Sequence, residues 1–163
     1  KKSVNVFLLL GANLGDTLSN IEKAGALIHA EVAAIGDASS VYKTEPWEME
    51  SDDWFLNQVL KIETDLSAME ILSKTKKIEQ SLGRRRFSEP GYQSRIIDID
   101  ILYYGTAVME SNELTIPHPR MTERRFTMEP LVEIDPAGMH PGLKKTNSEL
   151  LNLINDETHI QLL

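Results

Sequence analysis

Hydrophobic and polar positions alternate with two different periods along the first 65 residues. Residues 3–11, SVNVFLLLG, alternate and then become continuously apolar, which predicts a strand buried on at least one face. Apolar residues at helical spacing follow, and Asp16 stands where it can cap that helix. A second strand is predicted through Tyr42, ending before Pro46, and a third over residues 54–65. The short turn-rich stretch between them indicates an antiparallel pair.

The later half of the chain repeats the helix-then-strand order. Ser67 and Glu70 form an S-x-x-E capping box, and an apolar stripe follows until Gly83. Residues 95–104, RIIDIDILYY, then predict another strand. The order strand, helix, strand, strand, helix, strand is the ferredoxin-like βαββαβ arrangement. We therefore predict an α+β fold with a mainly antiparallel sheet and additional short C-terminal helices, in one domain over residues 1–163.

Composition limits the classes of function. The formal net charge is -8, which argues against a nonspecific binder of nucleic acid or of an anionic membrane. The absence of cysteine excludes disulfides and thiolate metal sites and favours a reducing compartment. No signal-peptide pattern or transmembrane run is visible, so the sequence predicts a cytoplasmic protein.

The positive charges are unevenly distributed. All seven arginines lie between residues 84 and 125, whereas the ten lysines lie outside that window. The guanidinium group is a planar fork that suits phosphate and carboxylate oxygens. Composition alone leaves a solubilising surface as the simpler explanation of this cluster.

Asp98 and Asp100 are the unusual residues of the strand 95–104. Alternate residues of a strand face the same way, so the isoleucines at 97, 99 and 101 share the core face and the two carboxylates share the other. Carboxylate oxygens suit Mg²⁺, particularly when substrate phosphates complete its coordination. An acidic, solvated sheet face would explain the pair equally well, but nearby arginines and His118 favour phosphoryl transfer.

Several motifs together resemble one known family. LLLGANLGD, SSVYKTEP, FLNQVLKIET, IEQSLGRRR, RIIDIDILYYG and LTIPHPRMTERRFTMEPLVEI run almost end to end through the chain. In this combination they resemble the 6-hydroxymethyl-7,8-dihydropterin pyrophosphokinases of folate biosynthesis. The resemblance implies transfer of the β,γ-pyrophosphoryl group of ATP to the pterin hydroxymethyl oxygen, with two Mg²⁺ ions and a monomeric enzyme. GANLGD lacks the ending of a Walker motif, and Gly11 and Gly15 are interpreted as turn formers.

The resemblance also implies roles for individual residues. The residues that match catalytic positions are Arg84, Arg95, Asp98 and Asp100, of which the two aspartates match the metal ligands. The residues that match nucleotide contacts are Leu72, Lys76, Glu79, Arg84, Arg86, Arg95, Ile101, Thr115, His118 and Arg124. The residues that match pterin contacts are Thr44, Glu45, Trp47, Phe55, Asn57, Tyr92, Asp98 and Phe126. The two phenylalanines match a pair of rings that sandwich the pterin.

The chain departs from the family pattern at Gln93, Ser94, Glu113 and Pro119, which affects the expected strength of nucleotide binding. Two other functions stay open at this point. One is a ferredoxin-like module that senses Mg-nucleotide without catalysis, and the other is a metal-dependent phosphohydrolase. A sensor has no need for two aromatic residues beside Asn57, and a hydrolase would need a positioned general base that the sequence does not reveal.

Overall fold

A computed structural model describes residues 3–45, 54–83 and 96–163 of the chain. The strands are β1 (Val4–Ala12), β2 (Ile35–Ala38), β3 (Tyr42–Thr44), β4 (Phe55–Thr64), β5 (Asp98–Tyr104), β6 (Met109–Glu110), β7 (Thr115–Ile116) and β8 (Ile160–Leu162). The helices are α1 (Thr17–Glu31), α2 (Ala68–Gly83), α3 (Arg125–Ile134) and α4 (Asn147–Asn152), with a 3₁₀ turn over Met121–Glu123.

The main sheet has the strand order β5-β1-β4-β3-β8, and β2 also pairs with β4. Every pairing within it is antiparallel. Helix α1 connects β1 to β2, and α2 connects β4 to β5, so each helix joins two strands that are not neighbours. The ferredoxin-like prediction is therefore confirmed, with β8 added at the edge.

Strand β1 lies inside the sheet because both of its faces are apolar. Residues 6–10 are at most 6 % exposed, and they divide between two cores. Val6, Leu8 and Leu10 pack with α1 and α2, whereas Phe7 and Leu9 pack with α3 and α4 on the opposite face. The molecule thus has three layers, and the C-terminal helices cover the second face of the sheet.

Helix boundaries follow the predicted capping residues. The Asp16 carboxylate accepts the Ser19 N–H at 3.2 Å, as expected at the start of α1. Ser67 and Glu70 form the predicted reciprocal pair of hydrogen bonds before α2. Helix α3 differs, because its N-cap residue, Arg124, makes no side-chain capping hydrogen bond.

The prediction of one continuous strand through Tyr42 was wrong. The segment is divided into β2 and β3, which pair with different parts of β4. Between them, Ser39 donates its N–H to the Val59 carbonyl and accepts the Val59 N–H on its hydroxyl, both at 2.9 Å. A side-chain oxygen therefore replaces a backbone carbonyl there, which satisfies β4 while the chain changes direction.

Strand β5 contains one extra residue relative to β1. Ile101 pairs with Leu8 and Tyr103 pairs with Phe7, so Leu102 is a bulge between them. N-terminal to the bulge the predicted alternation of buried and exposed residues is present, since Ile99 is 4 % exposed while Asp98 is exposed. The two aspartates consequently share the face opposite the isoleucines.

The sequence did not predict the hairpin of β6 and β7 or the C-terminal strand β8. After the strand that ends at residue 104 the sequence predicted only short helices, but Thr115 and Ile116 form β7. In the part of the chain that the structure describes, no helix has the length and apolar character needed to cross a bilayer.

Candidate active site

An open cleft of about 750 Å³ lies at the end of the sheet where β1 finishes and β4 begins. We call it the aromatic cleft. Its lining residues are Leu9, Gly11, Ala12, Asn13, Thr44, Glu45, Phe55, Asn57, Asp98, Asp100, Arg124 and Phe126. Register places its centre: Gly11 pairs with Asn57 on one side and with Asp98 on the other. The Asn57 amide on β4, the glycine on β1 and the Asp98 carboxylate on β5 therefore form one row across the three strands.

Asn57 is the most deeply buried polar residue of that row, with 5 % exposure. Its Nδ2 donates to the Leu10 carbonyl at 3.3 Å, but its buried Oδ1 has no hydrogen-bond partner. Gly11 makes room for the amide, because a Cβ there would lie 2.9 Å from Nδ2. Gly11 is part of β1 and has no positive φ, so its interpretation as a turn former was wrong. Gly15, at φ +68°, does occupy the left-handed region.

Thr44 presents a second buried oxygen to the same cleft. The residue is 3 % exposed, and its Oγ1 has no hydrogen-bond partner. A buried polar atom without a partner costs about 1–3 kcal/mol. Thr44 and Asn57, which carry these two atoms, both line the cleft, where a polar ligand would complete the hydrogen bonding.

Two phenylalanines from different elements form the apolar part of the cleft. Phe55 opens β4 and is 36 % exposed, and Phe126 belongs to the first turn of α3. The Arg124 guanidinium lies 5.4 Å from the centroid of the Phe126 ring, a cation–π contact. An exposed aromatic ring at one side of a cleft and a second ring at another suit a flat heterocycle.

A second cleft of about 730 Å³ lies between α2 and the loops around β6 and β7. We call it the α2 cleft. Its lining residues are Leu72, Lys76, Glu79, Ile99, Asp100, Ile101, Ser111, Asn112, Glu113, Leu114, Thr115, His118 and Pro119. The Glu79 carboxylate crosses from α2 to accept the Ile99 N–H at 2.7 Å, which fixes the helix against β5. Asp100 lines both clefts, so the two spaces meet at this carboxylate.

The His118 side chain lines the α2 cleft. The backbone N–H of His118 donates to the Leu102 carbonyl at 3.1 Å, and the ring Nδ1 accepts the backbone N–H of Arg120 at 3.3 Å. The proton of the neutral ring is then on Nε2. Burial lowers the pKa of His118, although the nearby Asp100 carboxylate opposes the shift. Burial also lowers the pKa of Arg124, with Arg120 acting in the same direction.

Asp98 and Asp100 are the candidate metal ligands. They project from the same face of β5, Asp98 exposed and Asp100 half-buried. Within residues 3–45, 54–83 and 96–163, no group of three or more histidine, aspartate or glutamate side chains could hold a metal alone. Two carboxylates on an open surface fit Mg²⁺, which usually keeps waters and takes its remaining ligands from substrate phosphates.

The sequence model of the 7,8-dihydro-6-hydroxymethylpterin-pyrophosphokinase (HPPK) family matches residues 7–136. The chain belongs to the HPPK family. It is 41% identical over 144 residues to the 2-amino-4-hydroxy-6-hydroxymethyldihydropteridine pyrophosphokinase of Aquifex aeolicus, covering 88% of each chain. It is 40% identical over 129 residues to the enzyme of that name from Bacillus subtilis, covering 78% of this chain and 76% of the relative.

Solved structures support the fold assignment. A Plasmodium falciparum HPPK-DHPS triple mutant superposes with a TM-score of 0.75 at 17% identity over 93% of this chain. The wild-type protein, crystallised with pterin and p-hydroxybenzoate, gives 0.74, also at 17% identity. This HPPK-family chain spans less than half of those solved chains, 43% and 42%.

The structure of this HPPK-family chain groups the residues that the sequence analysis assigned to each ligand. Every described candidate for pterin contact lines the aromatic cleft: Thr44, Glu45, Phe55, Asn57, Asp98 and Phe126. Candidates for nucleotide contact that line the α2 cleft are Leu72, Lys76, Glu79, Ile101, Thr115 and His118. Arg124, also assigned to the nucleotide, lines the aromatic cleft instead. The candidates outside the described residues are Trp47, Arg84, Arg86, Tyr92 and Arg95.

Sequence reasoning missed the contribution of β1 and, apart from Glu113 and Thr115, of the β6–β7 hairpin. Leu9 and Ala12 line the aromatic cleft, and the hairpin loop 111–114 lines the α2 cleft. Leu9, Ala12 and Leu114 carry no distinctive chemistry, and Ser111 and Asn112 are common loop residues, so only the folded arrangement could have placed them. Asn13, in the GANLGD motif, also lines the aromatic cleft.

Proposed function

We propose that the protein transfers the β,γ-pyrophosphoryl group of ATP to the hydroxymethyl oxygen of 6-hydroxymethyl-7,8-dihydropterin. The products are AMP and the dihydropterin pyrophosphate, and the reaction is a step of folate biosynthesis. The observation that carries this proposal is that two clefts of different chemistry meet at Asp100. A transferase needs such a junction, because its two substrates must bring their reacting atoms within about 3–3.5 Å.

The aromatic cleft fits the pterin. A pterin is flat and carries both donors and acceptors on its edge, which suits aromatic faces at Phe55 and Phe126. The buried Asn57 Oδ1 accepts a ring N–H, and the Thr44 hydroxyl gains a partner, so both orphaned atoms are satisfied. Binding then recovers part of the free energy that burying these atoms cost during folding.

The α2 cleft fits the nucleotide. Leu72 and Ile101 offer apolar surface to the adenine, and His118 donates from Nε2 toward the phosphates. Arg124 can act on both substrates. Its guanidinium stacks on the Phe126 ring in the aromatic cleft, and it also interacts electrostatically with Asp100, which lines both clefts. The resemblance adds Arg84, Arg86 and Arg95 as phosphate ligands.

Asp98 and Asp100 would hold Mg²⁺, two ions with each ATP, which would supply positive charge to offset the phosphate charge. The hydroxymethyl oxygen forms a new bond to the β-phosphorus and loses its proton to water, while the bond from that phosphorus to the AMP oxygen breaks. The protein aligns the two substrates: Asn57 and the aromatic rings orient the pterin, and His118 and Arg124 orient the triphosphate of ATP. One chain supplies all these groups, so a monomer is sufficient.

The experiment is to incubate the protein with ATP, Mg²⁺ and hydroxymethyl-dihydropterin and to measure AMP. Asp98→Asn and Asp100→Asn should each lower kcat by about 10²–10³-fold, the loss typical of one preorganised electrostatic group. Asp65→Asn is the matched control, because Asp65 is exposed beyond β4, at the opposite end of the sheet. A nucleotide-sensing module would bind Mg-ATP and form no AMP, and a phosphohydrolase would release phosphate without the pterin.

A further inference from the structure

The carboxylate of Glu133 joins the last turn of α3 to the segment that leads into β3. Its Oε1 accepts the Tyr42 O–H at 2.8 Å, and its Oε2 accepts the Ser40 O–H at 2.9 Å. The backbone N–H of Ser40 lies 3.1 Å from each of the two oxygens. Hydrogen bonds to a carboxylate are stronger than those between neutral groups. We call these contacts the Glu133 link.

Both elements lead from the Glu133 link to the aromatic cleft. Tyr42 opens β3 and Thr44 closes it, and side chains two residues apart share a face of a strand. Phe126 and Glu133 are separated by about two turns of α3, so they share a face of the helix. Thr44 and Phe126 both line the cleft. The link therefore joins the two elements behind the residues that they present to the ligand.

Strand β4 brings the buried amide of the cleft beside the same link. Tyr42 pairs with Asn57, and residues directly opposite each other on antiparallel strands project from the same face. Val59, two residues further along β4, packs in one apolar cluster with Met128 of α3. Tyr42 and Asn57 thus lie on the sheet face that α3 covers, and the link stands one strand away from the amide.

Apolar packing alone does not determine how α3 lies along β3. Met128 and Leu131 are fully buried beneath the helix, but the stabilisation that they provide is non-directional. The hydrogen bonds of the link have defined distances and angles, so they select one arrangement of the helix. Burial and the Glu133 carboxylate both raise the pKa of Tyr42, so its hydroxyl keeps the proton that it donates.

We propose that Glu133 is a positioning residue for the pterin, which fixes α3 along β3 and thereby sets where the Phe126 ring stands relative to Asn57. Glu133 and Tyr42 are not among the described residues that line the aromatic cleft. They therefore act on a ligand through the elements that they join. The inference rests on the proposed function only in naming a pterin as the ligand.

Variants on both sides of the link test this proposal. Glu133→Ala removes every acceptor of the link, whereas Glu133→Gln keeps one oxygen for the Tyr42 hydroxyl. Tyr42→Phe removes a single donor on the β3 side. Glu31→Ala is the control for lost charge, because Glu31 is exposed at the end of α1, which packs on the opposite face of the sheet. Glu133 is itself exposed, so its truncation leaves no cavity; if Glu133→Ala nevertheless fails to fold, Tyr42→Phe decides.

Steady-state kinetics should separate the two substrates. Glu133→Ala should raise the KM for the pterin about fivefold and leave the KM for ATP within about twofold, because no residue of α3 or β3 is among the described residues lining the α2 cleft. Glu133→Gln and Tyr42→Phe should raise the pterin KM by about twofold, and Glu31→Ala should leave it unchanged. Adding Tyr42→Phe to Glu133→Ala should cause no further loss, since both act through one link.

Amide hydrogen exchange in the ligand-free protein tests the same link without turnover. Thr127 and Met128 donate their N–H groups to the Arg124 carbonyl in the first turn of α3, at 3.1 and 3.0 Å. Glu133→Ala should accelerate exchange at these two amides, although they lie more than one turn from the substitution. Exchange at Leu8, in the buried centre of β1, should stay at the wild-type rate.

The outcomes separate the two proposals. If the wild-type protein forms no AMP, the proposed function fails, and amide exchange then decides on Glu133 alone. Unchanged exchange at Thr127 and Met128 in Glu133→Ala would overturn the positioning role, and so would equal acceleration at Leu8, which would mean general destabilisation. An unchanged pterin KM, or equal increases in the KM of both substrates, would also overturn it. Local acceleration together with a selective rise in the pterin KM supports it.

Discussion

Gly11→Ala should separate ligand binding from folding at the centre of the aromatic cleft. The new Cβ would lie 2.9 Å from the Asn57 Nδ2, closer than carbon and nitrogen approach without bonding. Gly11 has no positive φ, so alanine introduces no backbone strain. The atom that must yield is the end of a side chain, and the Asn57 amide therefore moves while β1 stays in place.

The size of the effect follows from the bonds of that amide. Its hydrogen bond to the Leu10 carbonyl is already 3.3 Å long, and a further shift removes it at a cost of about 0.5–1.5 kcal/mol. Alanine offsets part of this by restricting the unfolded chain, worth about 0.4–1 kcal/mol. The free energy of unfolding should thus change by less than about 1 kcal/mol. Pterin binding should lose about 1–2 kcal/mol, a 5- to 30-fold weaker Kd, because one or two ligand hydrogen bonds to Asn57 are displaced.

The assay is calorimetric titration of the pterin in the presence of Mg²⁺ and a non-hydrolysable ATP analogue. Gly25→Ala is the control, because nothing lies within 4 Å of a Cβ at Gly25 in α1. A double-mutant cycle with Asn57→Ala then identifies the route of the effect. If Gly11→Ala acts through Asn57, it should weaken binding no further once the amide is absent.

Two results would refute this reasoning. Wild-type pterin affinity in Gly11→Ala would mean that the position of the Asn57 amide does not matter to the ligand. Additive losses in the cycle would mean that the methyl group obstructs the ligand directly.

Three further outcomes are expected. Phe126→Ala should weaken pterin binding by about 1–3 kcal/mol and ATP binding far less, and equal losses in the two titrations would return Phe126 to a packing role. Thr44→Val removes a buried hydroxyl without a partner and should raise the free energy of unfolding by about 1 kcal/mol in urea; a decrease would mean that the hydroxyl is satisfied. Burial lowers the pKa of His140, whose Nδ1 accepts the N–H groups of Gly142 and Leu143. The unfolded chain then binds the proton more readily, so stability should fall as the pH drops below about 6.5, by at most about 1.4 kcal/mol per pH unit. His140→Asn keeps an acceptor without titrating, and its urea midpoint should depend less on pH; identical profiles would exclude His140.

The sequence was most informative where one strand has two chemically different faces. Alternation over residues 97–100 separates Ile97 and Ile99 from Asp98 and Asp100, and the structure buries the isoleucines to 1 % and 4 % exposure. The core and the acidic face were therefore predictable from period two alone. The starts of α1 and α2 were predictable from their capping residues, because capping hydrogen bonds join residues that are close in sequence.

Features that depend on distant parts of the chain could not be predicted. The division between β2 and β3 requires the Ser39 hydroxyl to meet Val59, twenty residues away. Strand β8 forms because β3 has an open edge, and its own three residues give a weak pattern. The aromatic cleft joins Gly11, Asn57 and Phe126 only through sheet register and the docking of α3, so motif matching could propose its members but not their arrangement. Their assignment to a particular ligand remains a prediction.

The bulge at Leu102 has a consequence for insertions and deletions in β5. Pairing with β1 is regular from Asp98 to Ile101 and again from Tyr103 onward, with Leu102 as the surplus residue. A deletion at Leu102 would leave both regular segments in register, at the cost of one core side chain and the carbonyl that the His118 N–H uses. A deletion between Asp98 and Ile101 would instead turn a carboxylate toward the core. Within β5, Leu102 is therefore the position where a one-residue deletion disturbs the pairing with β1 least.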